Sequence, residues 1–265
     1  SLQGFVGDDL CVVPPEFHGS NYKNKDPESL SRMCGRYTLT CTPEVFAEEF
    51  RLEATPDHQP RYNVAPSQAV VCVRATLPAR LREAVTMRWG LIPSWTRDPA
   101  KGMNLINARA ETATEKPSFR KPFRERRCLV LADGYYEWKR EGTRKQPYYI
   151  RLKNERPFAF AGLWDRWSDG MGITIESCAV LTTKPNERLA SIHDRMPVIL
   201  HPGAYEPWLD PGLQDATRLV TFLTPYPADA MIAHPVGALV NDPRVDDARC
   251  IEAMETPDHP SRGQV

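Results

Sequence analysis

The core of this chain is set by Cys128-Leu129-Val130-Leu131-Ala132, followed by Asp133-Gly134-Tyr135-Tyr136-Glu137-Trp138. The first part of this stretch is entirely apolar and has the length of one strand. A continuous apolar run of about four to eight residues is typical of a strand that is buried on both faces. We therefore predict a buried strand over 128–132, which brings the polar and aromatic residues after it to the edge of the core.

Shorter runs with similar patterns predict the rest of the fold. A helix is predicted from Thr42-Pro43-Glu44 to Phe50, because Thr suits the cap position and Pro the first helical turn. Further short helices are predicted at 186–190 and near 203–208. The other predicted strands lie at 34–40, 69–74, 81–91, 146–152, 158–164, 173–182, 198–200 and 218–223. With 25 prolines breaking helices, this pattern favours an α+β fold that is mainly antiparallel β and barrel-like, with a few short helices.

Length and composition suggest one main domain with an extension before it. A chain of 265 residues can bury a large core. Residues 1–32 mix Gly, Pro, Asn, Asp and Ser with short apolar clusters, so we expect a disordered or non-native extension. It could derive from an over-long gene reading, a cloning remnant or a pro-segment. We expect residues 33–255 to form a single domain and 256–265 to be a flexible tail.

Charge is balanced over the whole chain but uneven along it. The formal net charge is zero, with 34 basic and 34 acidic residues. Within 107–127 there are seven basic and three acidic residues, a local balance of +4. Such a run is usually a solvated surface, but it is also the kind of surface that binds a phosphate backbone.

The seven cysteines are scattered and contain no C-x-x-C pair. This pattern argues against a disulfide framework and a structural zinc site, and it suits a reducing cytosol. No apolar run reaches the ~18 residues that a membrane-spanning helix needs, and residues 1–32 lack the pattern of a secretory signal. We therefore predict a cytoplasmic protein of bacterial type that has no contact with a membrane.

Cys34 directly follows Met33. If Met33 is the biological start, its removal leaves Cys34 with a free α-amine beside its thiol. Such an amine, with an unperturbed pKa of about 7.7–8.0, can add to an aldehyde, and the thiol can then close a five-membered thiazolidine ring. An internal Cys34 could not react in this way, because the lone pair of a peptide nitrogen is delocalised. Taken alone, Cys34 is better explained as a buried, inert cysteine.

Three further polar groups lie at the ends of apolar runs. Aromatic neighbours would exclude water from the carboxyl group of Glu137, which favours proton exchange near neutrality. His193 offers an imidazole, the side chain suited to proton transfer near pH 7, and Asn107 offers an orienting amide. Each has a plainer explanation: Glu137 could pair with a neighbouring Arg or with Lys139, His193 could satisfy backbone groups in a loop, and the charges after Asn107 could simply be solvated.

Six motifs occur together in a fixed order. They are Met33-Cys34-Gly35-Arg36-Tyr37, Arg61-Tyr62-Asn63-Val64-Ala65-Pro66, Trp89-Gly90-Leu91-Ile92-Pro93-Ser94-Trp95, Asn107-Ala108-Arg109-Ala110-Glu111-Thr112, Gly134-Tyr135-Tyr136-Glu137-Trp138 and His193-Asp194-Arg195-Met196-Pro197. Each is weak alone, but the series closely resembles the SRAP (SOS response-associated peptidase) family from residue 33 to about 240. The resemblance implies a barrel-like SRAP fold. It also implies a protein that senses abasic sites in single-stranded DNA and shields them from strand cleavage as a covalent thiazolidine crosslink through N-terminal Cys34.

The resemblance also implies roles for individual residues. The catalytic residues would be Cys34, Asn107, Glu137 and His193. The DNA-binding residues would be Arg36, Arg61, Trp89 and Arg109, with the arginines on phosphates and Trp89 stacking beside the lesion. The crosslinking would use lyase-like imine chemistry, and no cofactor or metal is implied.

The expected partner is single-stranded DNA containing abasic sites, bound by a monomer that joins the nucleoid after DNA damage. Two other functions stay open. A cysteine autopeptidase would use Cys34 to cut the bond after Met33 and remove the N-terminal segment, and this step could precede DNA capture. A non-catalytic reader of modified DNA would bind through its basic surface alone and form no covalent product.

Overall fold

The predicted buried strand is present as β6 (Arg127–Ala132), and every residue in it is buried. It pairs antiparallel with β3 (Ala69–Ala75) on one side and β9 (Phe158–Ser168) on the other. The structure is a computed structural model that describes residues 35–76, 81–99 and 105–254. The predicted α+β fold with mainly antiparallel strands is confirmed.

The remaining strands of the described residues are two to ten residues long, and the α-helices five to eight. The strands are β1 (Arg36–Leu39), β2 (Arg61–Val64), β4 (Arg82–Trp89), β5 (Asn107–Arg109), β7 (Gly134–Glu141), β8 (Arg144–Leu152), β10 (Thr174–Thr183), β11 (Met196–Pro197) and β12 (Met231–Pro235). The α-helices are α1 (Pro43–Phe50), α2 (Arg120–Glu125), α3 (Tyr205–Leu209) and α4 (Ala216–Val220). Single 3₁₀ turns lie at Pro202–Ala204, Ala228–Ala230, Ala238–Asn241 and Ala248–Ile251.

The strands form two sheets. The larger has the order β11-β10-β4-β3-β6-β9, and β9 also pairs with β10, so this sheet curls into a barrel-like ring. The smaller has the order β12-β8-β7-β1-β2. Aromatic side chains pack the two sheets together: the ring of Tyr37 on β1 lies 5.4 Å from that of Trp89 and 5.8 Å from that of Phe160 on the barrel.

The first described strand is held firmly against β7. Arg36 pairs with Tyr136, and Thr38 pairs with Gly134. Gly134 is required at this position, because a Cβ atom there would lie 2.2 Å from the hydroxyl oxygen of Tyr149. This register places Tyr136 of β7 beside Arg36, the first residue of β1.

Three predicted elements differ from the structure. The strand predicted at 218–223 is wrong: α4 begins there after Asp215, whose side chain accepts a hydrogen bond from the N–H of Thr217 at 2.9 Å. The helix predicted after Asn186 is a series of turns, and 198–200 makes a single bridge through Ile199. The predicted extension at 1–32 and tail at 256–265 lie outside the described residues.

No helix in the described part of the chain is long and apolar enough to cross a membrane. The five cysteines that fall within the described ranges are free thiols.

Candidate active site

The structure brings Glu137 and His193 together. Glu137 lies on β7, and its side chain is 4% exposed; the side chain of His193, in the turn between β10 and β11, is 12% exposed. Their atoms Oε2 and Nε2 are 3.9 Å apart. An acid and an imidazole shielded from water at this distance can exchange a proton with a group placed between them.

The imidazole of His193 is oriented by its own turn. The backbone N–H of Arg195 donates a hydrogen bond to Nδ1 at 3.0 Å, and the carboxylate of Asp194 lies 3.3 Å from the same atom. The carbonyl oxygen of Arg195 is 3.1 Å from Nδ1 as well. These three contacts hold the ring at Nδ1, and Nε2 is the nitrogen that faces Glu137.

Strand β10 connects the segment that carries Asn107 to the turn that carries His193. Asn107 lies on β5, is 7% exposed, and pairs in parallel with Val180 of β10. The end of β10 pairs with β11, where Thr183 faces Met196, three residues beyond His193. One strand therefore supports both the segment that carries Asn107 and the turn that carries His193.

Cys34 lies outside the described residues, but the chain next to it is described. Gly35 follows it, and β1 begins at Arg36, which pairs with Tyr136. Glu137 is the next residue of β7. Glu137 thus directly follows Tyr136, which pairs with Arg36, and Arg36 is two residues after Cys34 in the chain.

Comparison with known proteins identifies the family. A family model described as SOS response associated peptidase (SRAP) matches residues 33–243. This chain belongs to the SRAP family. The resemblance drawn from the six motifs is confirmed.

Several relatives of this SRAP protein carry names that describe an activity. The abasic site processing protein YoqW of Bacillus subtilis (strain 168) is 43% identical over 225 residues, which cover 83% of this chain and 100% of the relative. The abasic site processing protein HMCES of Xenopus tropicalis is 33% identical over 268 residues, covering 84% of this chain and 78% of the relative. A crystal structure of a protein from Bacteroides thetaiotaomicron is 28% identical with a TM-score of 0.75, and it covers 83% of this chain and 100% of that one.

Two arginines predicted to contact phosphate are engaged inside this SRAP fold. Arg36 donates from Nη1 to the side-chain oxygen of Asn63 at 2.9 Å and to the carbonyl of Val240 at 2.6 Å. Arg61 forms an ion pair with Asp246 and donates to the side chain of Gln68. Both guanidinium groups therefore join the first strands to other parts of the fold.

The other two predicted DNA-binding residues have opposite surroundings. Arg109 is exposed at the end of β5. Trp89 is only 2% exposed, and its indole N–H donates to the carbonyl of Ile106 at 2.9 Å. A ring so buried has no face for a base, so the prediction that Trp89 stacks beside the lesion is corrected: it is a core residue. Trp95, in the same motif, is 64% exposed.

The basic run at 107–127 divides into a surface part and a structural part. Arg120, Lys121 and Arg124 are exposed. Arg127 is 4% exposed and donates to several carbonyl groups, including that of Trp208 at 2.6 Å. Burial lowers the pKa of Arg127 to about 10. The end of this run thus stabilises the fold and offers no phosphate contact.

Sequence reasoning missed two residues that support the site. Glu111 and Arg195 form an ion pair beside His193, with 2.7 Å between Oε1 and Nη1. Glu111 belongs to the motif Asn107–Thr112 and Arg195 to the motif His193–Pro197. Their opposite charges were the sequence signal that could have predicted this ion pair. Within the described residues, no cluster of three or more His, Cys, Asp or Glu side chains could hold a metal ion.

Proposed function

We propose that this protein recognises abasic sites in single-stranded DNA and binds them covalently as a thiazolidine on Cys34. The names of its relatives, abasic site processing proteins, support the substrate class. The observation that carries the proposed chemistry is the water-shielded pair of Glu137 and His193, beside the beginning of β1. The partner would be single-stranded DNA, and the protein would act without a membrane.

The proposal requires Cys34 to lie within reach of this pair, and the short chain between Cys34 and β1 supports it. Cys34 is two residues before Arg36, and Arg36 pairs with the neighbour of Glu137. Two residues of chain span at most about 7 Å. We therefore expect the amine and thiol of Cys34 to lie within reach of the Glu137 carboxyl group.

The first steps of the proposed mechanism make an imine. An abasic deoxyribose is mostly a closed hemiacetal, and Glu137 moves the proton that opens it to the aldehyde. The unprotonated amine of Cys34, oriented by Asn107, attacks C1′, and the loss of one water leaves a C=N bond. General acid–base catalysis of this kind contributes about 10²–10⁴-fold to a rate.

The second step closes the ring. The thiol sulfur of Cys34 adds to the imine carbon while its proton passes to the imine nitrogen, with His193 as the shuttle. Aldehyde and aminothiol thus give thiazolidine and water, and no oxidant or reductant is consumed. Because C1′ is then saturated, the protons on C2′ are no longer acidic, and the β-elimination that would cut the strand is prevented. The same steps in reverse would release the DNA.

The test is covalent capture of an abasic single-stranded oligonucleotide, read on a denaturing gel and by mass spectrometry. Protein that begins at Cys34 should form an adduct whose mass is that of protein plus DNA less one water, and Cys34→Ala should form none. Glu137→Gln should slow adduct formation by about 10²-fold while leaving non-covalent DNA binding unchanged.

Cys41→Ala is the matched control. Burial is the main cause that raises the pKa of the Cys41 thiol to about 12, so this nearby cysteine is not a nucleophile at neutral pH and its loss should not matter. A chain that retains residues 1–33 should form no adduct. Crosslinking by a chain whose extension stays intact would contradict the aminothiol mechanism, whereas crosslinking after release of the extension would support the autopeptidase function.

A further inference from the structure

The side chain of Arg195 connects separate parts of the candidate site. It is 15% exposed, although it lies only two residues after His193 in a surface turn. Its Nη1 and Nη2 atoms donate to the two carboxylate oxygens of Glu111 at 2.7 and 2.9 Å. Nη2 also donates to the backbone oxygen of Thr182 at 2.6 Å. A bidentate hydrogen bond between guanidinium and carboxylate is strong and directional, so the Arg195 side chain has one preferred position.

Glu111 belongs to the segment that carries Asn107. The N–H of Ala110, its neighbour, donates to the same Thr182 oxygen at 2.9 Å. That oxygen therefore receives one hydrogen bond from each of the two site segments. The hydrogen bond from Arg195 is also the main cause that lowers the pKa of the Glu111 carboxyl, so this group is charged at neutral pH.

The position of Arg195 matters for His193. The backbone N–H of Arg195 donates to Nδ1 of His193 and so favours the ring proton on Nε2, whereas the carbonyl of Arg195 and the carboxylate of Asp194, also beside Nδ1, favour the proton there. Without the contacts of the Arg195 side chain, this turn is held less firmly against β10, and the hydrogen bond from the Arg195 N–H to Nδ1 is weakened. The proton of the ring could then occupy either nitrogen, and Nε2 would no longer reliably present it to Glu137.

We propose that Glu111 is a positioning residue: it holds Arg195 and, through the backbone N–H of Arg195, sets the orientation and the tautomer of His193 opposite Glu137. The consequence for crosslinking rests on the proposed function. The tautomer of His193, in contrast, is a property of the protein without DNA. Glu111 itself touches neither the sugar nor Cys34 in this role.

The first experiment compares Glu111→Gln with Glu115→Gln, an exposed glutamate in the following turns that serves as control. Glutamine keeps the shape of Glu111 but loses the charge and one of the two acceptor oxygens. At saturating abasic DNA, the crosslinking rate constant of Glu111→Gln should fall by about tenfold, since small displacements of a reacting group are costly. The dissociation constant for intact single-stranded DNA should stay within about twofold, and Glu115→Gln should match the wild type in both.

The second experiment reads the tautomer directly. Two-bond ¹H–¹⁵N spectra of protein labelled at its histidines, with His193 assigned by His193→Gln, should show an unprotonated Nδ1 and a protonated Nε2. Glu111→Gln and Arg195→Lys should each shift the resonances of His193 toward a mixture of tautomers. The double variant should shift the His193 resonances no further than either single variant, because both substitutions remove the same contact.

The outcomes separate this inference from the proposed function. If the wild type forms no adduct, the proposed function fails, and the spectra still test the role of Glu111. If the wild type crosslinks but Glu111→Gln keeps the wild-type rate and the wild-type tautomer, the positioning role is overturned. A variant that only binds DNA more weakly, with an unchanged rate at saturation, would overturn it too.

Discussion

Asp133 fixes the start of the domain through one buried carboxylate. It is 7% exposed and follows the buried strand β6 directly. Its oxygens accept hydrogen bonds from the hydroxyl of Thr38 at 2.5 Å, from the hydroxyl of Thr40 at 2.8 Å, and from the N–H of Cys41 at 2.7 Å. The N–H of Thr40 donates to it as well. These donors come from β1 and the residues after it, so Asp133 determines where β1 lies against β7.

Replacing Asp133 tests this role. Asp133→Asn should lower the free energy of unfolding by about 2–3 kcal/mol, because the new amide group faces donors that it cannot satisfy. The midpoint of urea unfolding would measure the change, with an unaltered slope. The exposed Asp229→Asn is the control and should stay within about 0.5 kcal/mol of the wild type. Equal stability of the two variants would show that the carboxylate does not hold β1.

Among the elements, β6 and β9 approach each other closely within the barrel-like sheet. Gly162 of β9 pairs with Cys128 of β6, and a Cβ atom at 162 would lie 2.6 Å from the sulfur of Cys128 and 2.9 Å from Cγ2 of Val130. Cys72 packs in the same core, 3.8 Å from the sulfur of Cys178. Burial raises the pKa of the Cys72 and Cys128 thiols, so they act as small apolar side chains and take no part in the chemistry.

Gly162→Ala should therefore destabilise the protein. We expect a loss of about 1–3 kcal/mol in the free energy of unfolding, because the added methyl group forces strand β9 or the Cys128 side chain to shift. Gly203→Ala is the matched control, since a Cβ there meets nothing within 4 Å. Urea unfolding of both variants gives the comparison. A Gly162→Ala protein as stable as Gly203→Ala would mean that the two strands separate at little cost.

Local sequence patterns predicted most of these elements for a physical reason. A strand such as β6 is apolar along its whole length because both faces are buried, and this signal needs no knowledge of its partners. Residues 218–223 were predicted to be a strand, because a short amphipathic helix and a short strand have similar apolar content. Asp215, a good capping residue directly before α4, was the signal for a helix.

The site was only partly predictable, because its residues meet through long-range pairing. No local pattern brings Glu137 on β7 to the turn that carries His193, and only the family resemblance predicted it. The burial of Trp89 depends on Tyr37, far away in the sequence. Likewise, the partners of Arg36 lie up to 205 positions later in the chain, so its hydrogen bonds were invisible before the fold was known.

In the molecule as a whole, the beginning and the end of the domain are joined by one polar network. We call residues 238–251 the closing segment. Arg36 donates to the carbonyl of Val240 in this segment, and burial lowers the pKa of its guanidinium group. Asn63 donates from its side chain to the carbonyl of Val245 at 2.7 Å, and its N–H donates to Asp246 at 2.8 Å. The closing segment therefore supports the strand that follows Cys34.

This network gives two roles for Arg36 that an experiment can separate. If Arg36 binds a DNA phosphate, as the family resemblance implies, removing its charge should reduce the salt dependence of DNA binding. On a single strand, the slope of log K against log salt becomes shallower by about 0.7 for each phosphate that the protein no longer neutralises. If Arg36 instead holds the closing segment, the slope should not change, and backbone amides in 238–251 should exchange hydrogen faster.

We expect the second result for Arg36→Gln and the first for the exposed Arg109→Gln. The guanidinium of Arg36 already has three acceptors within the protein, at 2.6 to 3.3 Å, and moving it to a phosphate would break the hydrogen bonds that join β1 to the closing segment. Arg109 lies at the surface of the segment that carries Asn107 and can neutralise a phosphate at little cost. Salt titrations of DNA binding and hydrogen exchange on both variants supply the measurements. A reduced slope for Arg36→Gln, with unchanged exchange in the closing segment, would assign Arg36 to the DNA and not to the fold.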